Sequence, residues 1–440
     1  MTSGLEVTEF TMGDICMPAQ KPISLALWRD RSFLLFWSGR AASLLGTSIT
    51  GVALPLLMYR LTASAFLTSL LAALEVLPYF IFGFFAGALA DRMDRRRIMV
   101  SCDLLNVLLL GSIPLAYWLN VLTIPHIFIV ALLSASAFVW FDAADFGALP
   151  TLVGRDHIIG ANSAITSMST IVGIAGPALG GSLTALLGSA PTLSFDALSY
   201  LLSALTVLLI PRALNTISRT GRGSSTQDPG MAASIWEGLT FLWRHRLVRT
   251  LTLLSFGLSL SGGALLGLLV VYAVRALTLP VTDARIGLLF AAGSLGSFAA
   301  SLLLPQLTRR LPVGWISLLG MSLNLLLLLI LAAWVSILSI ALVVYACWSL
   351  TYTLTTTNGI SLRQLVIPDH LQSRVNAYAR MIAWGGTPFG AVLGGLLTQL
   401  TSIRPALLIM ACGLAISLLI GYFSPLREKT RVRDLIQKAD

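Results

Sequence analysis

Apolar stretches long enough to cross a bilayer alternate with short polar turns along nearly the whole chain. Residues 193–210 and 320–345, for instance, carry one ionisable side chain or none. A helix rising about 1.5 Å per residue needs about 20 apolar residues to cross the hydrocarbon core. On that measure the pattern predicts spans at 33–59, 66–90, 97–118, 124–149, 160–187, 192–210, 250–274, 285–304, 313–333, 336–358, 374–400 and 403–423. The remaining polar segments are an amino-terminal tail (1–32), a linker (211–249) and a carboxy-terminal tail (424–440), which leaves six-helix blocks at 33–210 and 250–423. Residues 218–230 of the linker are rich in Gly, Ser and Thr, as a flexible connection is. Residues 235–243 mix Trp236, Leu239, Phe241 and Leu242 with Glu237, the pattern of a short amphipathic helix lying on a membrane surface.

The two blocks repeat each other. Leu152-Val153 and Asp156-His157 recur at a fixed offset as Leu365-Val366 and Asp369-His370, and Tyr59, Gly83 and Arg96-Arg97 recur at the same offset as Tyr272, Gly296 and Arg309-Arg310. Moving one residue further pairs Asn162, Gly176, Gly180 and Gly181 with Asn376, Gly390, Gly394 and Gly395. The chain therefore reads as an all-α membrane protein of twelve transmembrane helices in two pseudo-symmetric six-helix bundles.

Composition agrees: 56% hydrophobic and only 11% charged residues cannot cover a soluble domain of this size. The net charge of +10 does not point to nucleic acid, because the basic residues sit in turns between spans instead of on one face. Only Arg60, Arg275, Arg285 and Arg404 of the 29 basic residues fall in the loops of one side, which predicts that both termini and the opposite loops are cytoplasmic. Residues 1–32 hold no short apolar run with a cleavage site, so the first span is expected to serve as the insertion signal. Cys102, Cys347 and Cys412 lie in spans and Cys16 in the tail, without the paired spacing of a disulfide framework or a metal site. His126, His157, His245 and His370 have no ligand spacing, and no Gly-Lys-Ser/Thr phosphate loop is present. Neither enzyme chemistry nor a cofactor is expected.

Between the second and third spans the chain reads Gly87-Ala88-Leu89-Ala90-Asp91-Arg92-Met93-Asp94-Arg95-Arg96-Arg97. Gly83 and Gly87 offer a small face for a close helix neighbour, Asp91 sits at the membrane edge, and the arginines hold the turn in the cytoplasm. This resembles the G-x-L-A-D-R-x-G-R-R/K loop of the major facilitator superfamily, with Asp94 where that pattern prefers glycine. The fifth span, with Gly173 and then Gly176-Pro177-Ala178-Leu179-Gly180-Gly181, looks like the G-P-x-x-G-G motif of exporters in that superfamily, and Gly385, Gly386, Pro388, Gly390, Gly394 and Gly395 form its counterpart. Ser43-Leu44-Leu45-Gly46, Ala53-Leu54-Pro55-Leu56 and the run from Phe195-Asp196 to Ser203-Ala204 resemble the subgroup that includes macrolide efflux proteins and the enterobactin exporter. The resemblance implies the major facilitator fold in the cell inner membrane, as a monomer whose two bundles rock about a central substrate site. It also implies that the first, fourth, seventh and tenth spans line the cavity. Members of the subgroup often place an acid just after Ser-Leu-Leu-Gly; here Thr47 stands there.

Ionisable groups at membrane depth are costly and mark functional candidates. Arg40 lies about 10 Å into the first span, and Asp142 and Asp145, three residues apart on one face of the fourth, lie about 6 to 12 Å from its cytoplasmic end. Arg40 is expected to pair with Asp142 or Asp145, either to couple protonation to rocking or simply to anchor two helices. Glu75 lies about 24 Å above the cytoplasmic edge of the second span, either facing the cavity or partnered at a helix interface. Asp103 and Asn106 are read as supporting the Asp91 loop, and Asp196 as solvated near the outer end of the sixth span. Arg363, Arg374 and Arg380 flank the loop into the eleventh span, and Asp91 with Arg380 is a candidate latch between the halves. One or two of Trp37, Tyr79, Trp140, Trp348, Tyr352 and Trp384 are expected to touch substrate, the others to pack. The leading functional expectation is a secondary transporter that exports a small amphipathic molecule, an antibiotic or siderophore, against protons. Its rivals are an importer of a metal chelate or nutrient and a non-transporting membrane sensor or scaffold.

Overall fold

The computed structural model describes residues 27–90, 93–154, 157–211, 214 and 231–427. The amino-terminal half consists of α1 (Arg31–Thr62), α2 (Ala65–Ala90), α3 (Arg95–Trp118), α4 (Ile124–Val153), α5 (Ile158–Leu187) and α6 (Ser189–Leu209). A short helix, α7 (Met231–Arg244), leads into α8 (Arg246–Gly267), α9 (Leu269–Arg275), α10 (Arg285–Arg310), α11 (Val313–Ala333), α12 (Leu338–Val366), α13 (Asp369–Leu400) and α14 (Ile403–Tyr422). Twelve of these are long and apolar enough to cross a membrane, and no strand occurs among the described residues. Each crossing helix satisfies its own backbone, which hydrocarbon requires.

The helices begin and end where local chemistry favours it. Asp30 caps α1 by accepting the Ser32 N–H at 2.9 Å, and Ala63 closes that helix with a left-handed turn at φ 49°. Asp94 caps α3, accepting the Arg96 N–H at 2.9 Å and the Arg97 N–H at 3.3 Å. The residue that departs from the superfamily loop pattern thus serves here as a helix cap. The seventh span is not one uninterrupted helix over 250–274. It starts at Arg246 and breaks at Leu268, just beyond Gly262, Gly263 and Gly267, where small residues leave the backbone free to turn. In α7, Leu242 is fully buried in a cluster with Leu371 and Val375 while Trp236 and Trp243 stay exposed, so the helix docks by one face.

Each half packs its own core. Phe33, Phe36, Phe141 and Ala144 build one cluster of the amino-terminal half, and Leu54, Leu57, Ile113 and Ile127 another. The carboxy-terminal core runs from Leu251 to Leu414 and takes in Val52, Leu56, Tyr59 and Ala65 from the other half. Those four lie toward the far end of the molecule, opposite the start of α1 at Arg31 and the end of α14 at Tyr422. Inside the carboxy-terminal half, buried Asn324 donates to the Trp348 carbonyl and the Thr351 hydroxyl, both at 3.0 Å. Asn358 donates to the Val313 carbonyl and Ser317, both at 2.8 Å. Such ties join helices where packing alone does not distinguish helix from lipid.

Candidate functional site

Glycine placement sets how the two halves meet. A Cβ on Gly176 would lie 2.5 Å from the Ser48 side chain, and one on Gly180 would lie 3.0 Å from the Ile49 backbone, so these two glycines let α5 press against α1 of its own half. Gly181 faces the other way: a Cβ there would stand 2.5 Å from the Ala284 carbonyl and 2.8 Å from the Gly287 Cα, across the boundary with α10. The repeat copies this division of labour. Gly394 packs on Ala264 of α8 in its own half, while Gly395 packs on Ser69 of α2 in the opposite one. Gly173 and Pro177 line a cavity between the halves.

That cavity encloses about 630 Å³ and draws its walls from α1, α5, α8, α10 and α12. Its polar groups are hydroxyls, among them Ser48, Thr170, Ser297 and Ser349, and among the described residues no charged side chain lines it. On one wall Tyr345, Trp348 and Tyr352 stack in series, with ring centroids 5.7 Å and then 5.2 Å apart. Hydroxyl pairs link α10 to α12: Ser297 and Ser349 lie 2.9 Å apart, and Thr353 donates to Ser297 at 3.0 Å. The size suits a drug-sized ligand, and a mainly apolar wall with a few oriented polar groups is how such sites hold one. The fourth span contributes nothing to this lining; the fifth and eighth do, because the cavity lies toward the α5–α10 seam.

The charged candidates stand apart from it. The Arg40 guanidinium sits between two carboxylates of α4, 3.5 Å from Asp142 Oδ1 and 3.3 Å from Asp145 Oδ2, and over the Phe141 ring at 5.3 Å. Arg40 and Asp145 are largely buried, and Asp142 is half-exposed. Both separations exceed the roughly 2.7–2.9 Å of a tight charge-assisted bond. Arg40 Nε and Asp145 Oδ1 are buried without a hydrogen-bond partner, so the cluster is neutralised but loosely bonded.

Glu75 does not face the larger cavity. It lines a separate pocket inside the amino-terminal half, and among the described residues no hydrogen bond or ion pair reaches it. Asp196 lines the same pocket and corrects the reading of a solvated residue: it is 1% exposed, takes the Thr50 hydroxyl at 2.5 Å and the Ser199 hydroxyl at 3.1 Å. The reason is rotational. Asp196, Ser199, Tyr200, Ser203 and Thr206 form one polar stripe of α6, and that stripe turns into the bundle. Gly46 makes room for it, since a side chain there would strike Asp196 and Ser199. Thr47 contacts the Tyr200 hydroxyl at 3.1 Å. Asp103 and Asn106 are likewise wholly inside the bundle, while Asp91, whose loop they are expected to support, lies outside the described residues.

The loop arginines tie helix ends together. Arg95 donates to the Gly147 carbonyl at 2.8 Å, near the end of α4, and to Leu214 at 3.5 Å. Arg96 donates to the Ile210 carbonyl at 2.5 Å, at the end of α6. Cations at helix carboxyl ends meet unpaired carbonyls and a favourable dipole. Arg97 is exposed, 3.9 Å from Asp94. Arg380 lies over the Trp384 ring at 5.9 Å. Gly87 falls within α2, whereas Asp91 and Arg92 lie outside the described residues, and the Asp91–Arg380 pairing with them.

Comparison with known proteins agrees with this architecture. Residues 23–439 match the family model described as a transmembrane secretion effector. The multidrug efflux pump Tap of Mycolicibacterium fortuitum is 26% identical over 410 residues, covering 89% of this chain and 95% of that protein. The enterobactin exporter EntS of Salmonella paratyphi A is 26% identical over 421 residues, 92% of this chain and 95% of its own. Macrolide efflux protein A of Streptococcus pyogenes is 24% identical over 214 residues, about half of each chain (49% and 52%). Among solved structures, a bacterial homologue of the lysosomal transporter Spinster, inward-facing and unoccupied, superposes with a TM-score of 0.70 at 12% identity over 95% of this chain and 99% of its own. An inward-facing bacterial homologue of the iron transporter ferroportin gives 0.69 at 16% identity over 89% and 98%. A twelve-span chain whose halves meet through paired glycine seams around an uncharged cavity, matched along nearly its full length, belongs to the transmembrane secretion effector family of major facilitator superfamily transporters.

Proposed function

We propose that this transporter exports a small amphipathic compound, antibiotic-like or siderophore-like, from the cytoplasm in exchange for protons. The observation that carries the substrate class is the cavity of about 630 Å³, whose hydroxyls and stacked Tyr345, Trp348 and Tyr352 suit a flat or polyoxygenated molecule without demanding a particular charge. The efflux of drugs, macrolides and enterobactin named for its relatives supports the direction.

Both termini face the cytoplasm of an inner-membrane protein, on the distribution of basic residues. The far end is then external, and contacts between the halves gather there, which leaves the cavity to fill from the cytoplasm. Residues 33–210 and 250–423 rock as two units of a monomer about this site, joined by the linker 211–249. Arg40 with Asp142 and Asp145 is the charge cluster whose loose pairing rearranges during rocking, and Asp91 with Arg380 latches the cytoplasmic side when it closes. A charge swap at Asp91 and Arg380 that restores activity lost in the single variants checks the latch.

Uptake of a radiolabelled macrolide and of enterobactin into inside-out and right-side-out vesicles tests the whole reading. Accumulation confined to inside-out vesicles with an acidic interior, and abolished by a protonophore, is expected. Uptake confined to right-side-out vesicles marks an importer, and uptake in neither a non-transporting protein.

A further inference from the structure

Within the amino-terminal half, apart from the larger cavity, α1, α2, α3, α4 and α6 enclose a second pocket of about 180 Å³. Two carboxyl groups line it, Glu75 from α2 and Asp196 from α6, together with the hydroxyls of Thr47, Thr50, Tyr79 and Tyr200. Among the described residues no lysine, arginine or histidine does. Asp196 is held only by hydroxyls, and Glu75 meets no hydrogen bond or ion pair among the described residues. Next to Tyr200, Asp103 of α3 is 0% exposed with both carboxyl oxygens lacking a hydrogen-bond partner.

At this depth a carboxylate persists as an anion only beside a cation or enough donors; otherwise the neutral acid or a bound cation is the stable form. The volume admits about six waters at about 30 Å³ each, enough to receive a released proton but not a drug-sized molecule. Substrate and proton thus have separate rooms.

We propose that this pocket is the proton-carrying site of the transporter, with Glu75 and Asp196 as its acceptors. One proton adds to one carboxylate oxygen to give a neutral acid. Its departure to pocket water restores the anion, and no other bond changes. The titratable groups lining the site beside the two acids are Tyr79 and Tyr200; outside the lining, the nearby helices carry buried Asp103 and the Arg40–Asp142–Asp145 cluster, and α13 carries Arg380. Proton binding here stands without the export reading; only the direction of coupling rests on it.

The test has two arms on the full-length protein. Infrared difference spectra of purified protein, between mildly alkaline and mildly acidic buffer, are expected to contain the carbonyl stretch of buried carboxylic acids. That band should lose intensity in Glu75→Gln and Asp196→Asn and persist in Asp142→Asn. In proteoliposomes, Glu75→Gln should lower pH-gradient-driven accumulation of a radiolabelled macrolide about tenfold more than it lowers downhill exchange. Glu75→Asp and Asp196→Glu, which keep the acid, should keep the band and guard against mere misfolding. Bands unchanged in both neutral variants overturn the site, as does accumulation that follows a sodium gradient at fixed pH. Loss of the band with no accumulation of either macrolide or enterobactin by the wild type leaves the site standing and refutes the export reading instead.

Discussion

Arg275 of the carboxy-terminal half donates from Nε to the Tyr59 hydroxyl at 3.0 Å and from Nη2 to the Ala63 carbonyl at 2.9 Å, crossing to the amino-terminal half at the far end. Close by, Ser64 donates to Gln399 at 3.2 Å, and Gly395 of α13 lies on Ser69 of α2. These contacts hold the far end shut. Because Arg275 is exposed, its bonds contribute about 1 kcal/mol, about a fivefold bias toward this state. Arg275→Ala should therefore raise labelling of a cysteine placed by Ser64→Cys about fivefold with a membrane-impermeant thiol reagent applied to the far-end face.

Gly181 and Gly287 bring two backbones together with no side chain between them. Gly181→Val should separate α5 from α10 at the far end, because even its Cβ would lie 2.5 Å from the Ala284 carbonyl. Transport should fall at least tenfold, with a thermal midpoint lowered by a shift worth about 1–3 kcal/mol of overpacking. Gly173→Ala, whose Cβ meets only Ser294 at an ordinary 3.8 Å, should fold as the wild type does. Melting curves of the two variants in detergent make the comparison.

Arg40 neutralises two acids at once. Arg40→Ala leaves Asp145 buried without its cation, and breaking a buried pair in this way costs about 3–5 kcal/mol. Adding Asp145→Asn should recover most of that loss, whereas adding Asp142→Asn should recover less, since Asp142 is half-exposed and solvated. Thermal unfolding of the singles and doubles, analysed as a cycle, gives the coupling.

His245 is a pH-sensitive joint on the termini side. Its ring accepts the Val248 N–H at 3.4 Å to cap α8 and stacks on Phe241 at 5.4 Å, and burial holds its pKa below the ordinary 6.5. The neutral ring is the form the folded state prefers. As pH falls through 6.5 the unfolded chain binds a proton first, so stability declines until the folded-state value is passed. His245→Asn, which caps without titrating, should flatten that decline in melting temperature across mildly acidic pH.

Much of this arrangement was legible along the chain. Span count followed from hydropathy, since crossing length is fixed by the bilayer, and the offset between Gly176-Gly180-Gly181 and Gly390-Gly394-Gly395 gave away the repeat. What sequence conveys poorly is rotation about a helix axis. Asp196 was judged by its distance from a helix end, when the polar stripe it shares with Ser199, Tyr200 and Ser203 was the better guide to its burial. For Glu75 the chain carries no cue to which room the side chain enters, because that depends on how α2 faces α4 and α6. The break at Leu268 follows several small residues in the preceding turns, a cue that hydropathy averages away.

The seam at Gly181 and Gly287 has a consequence for energy economy. A barrier built from rotatable side chains breathes on fast timescales and lets single ions slip through between cycles. Two peptide backbones in direct touch offer no such flicker, and the boundary loosens only when entire helices swing. Ion leak at this seam between cycles should therefore be small, because the missing methyl groups tie its opening to movement of whole helices.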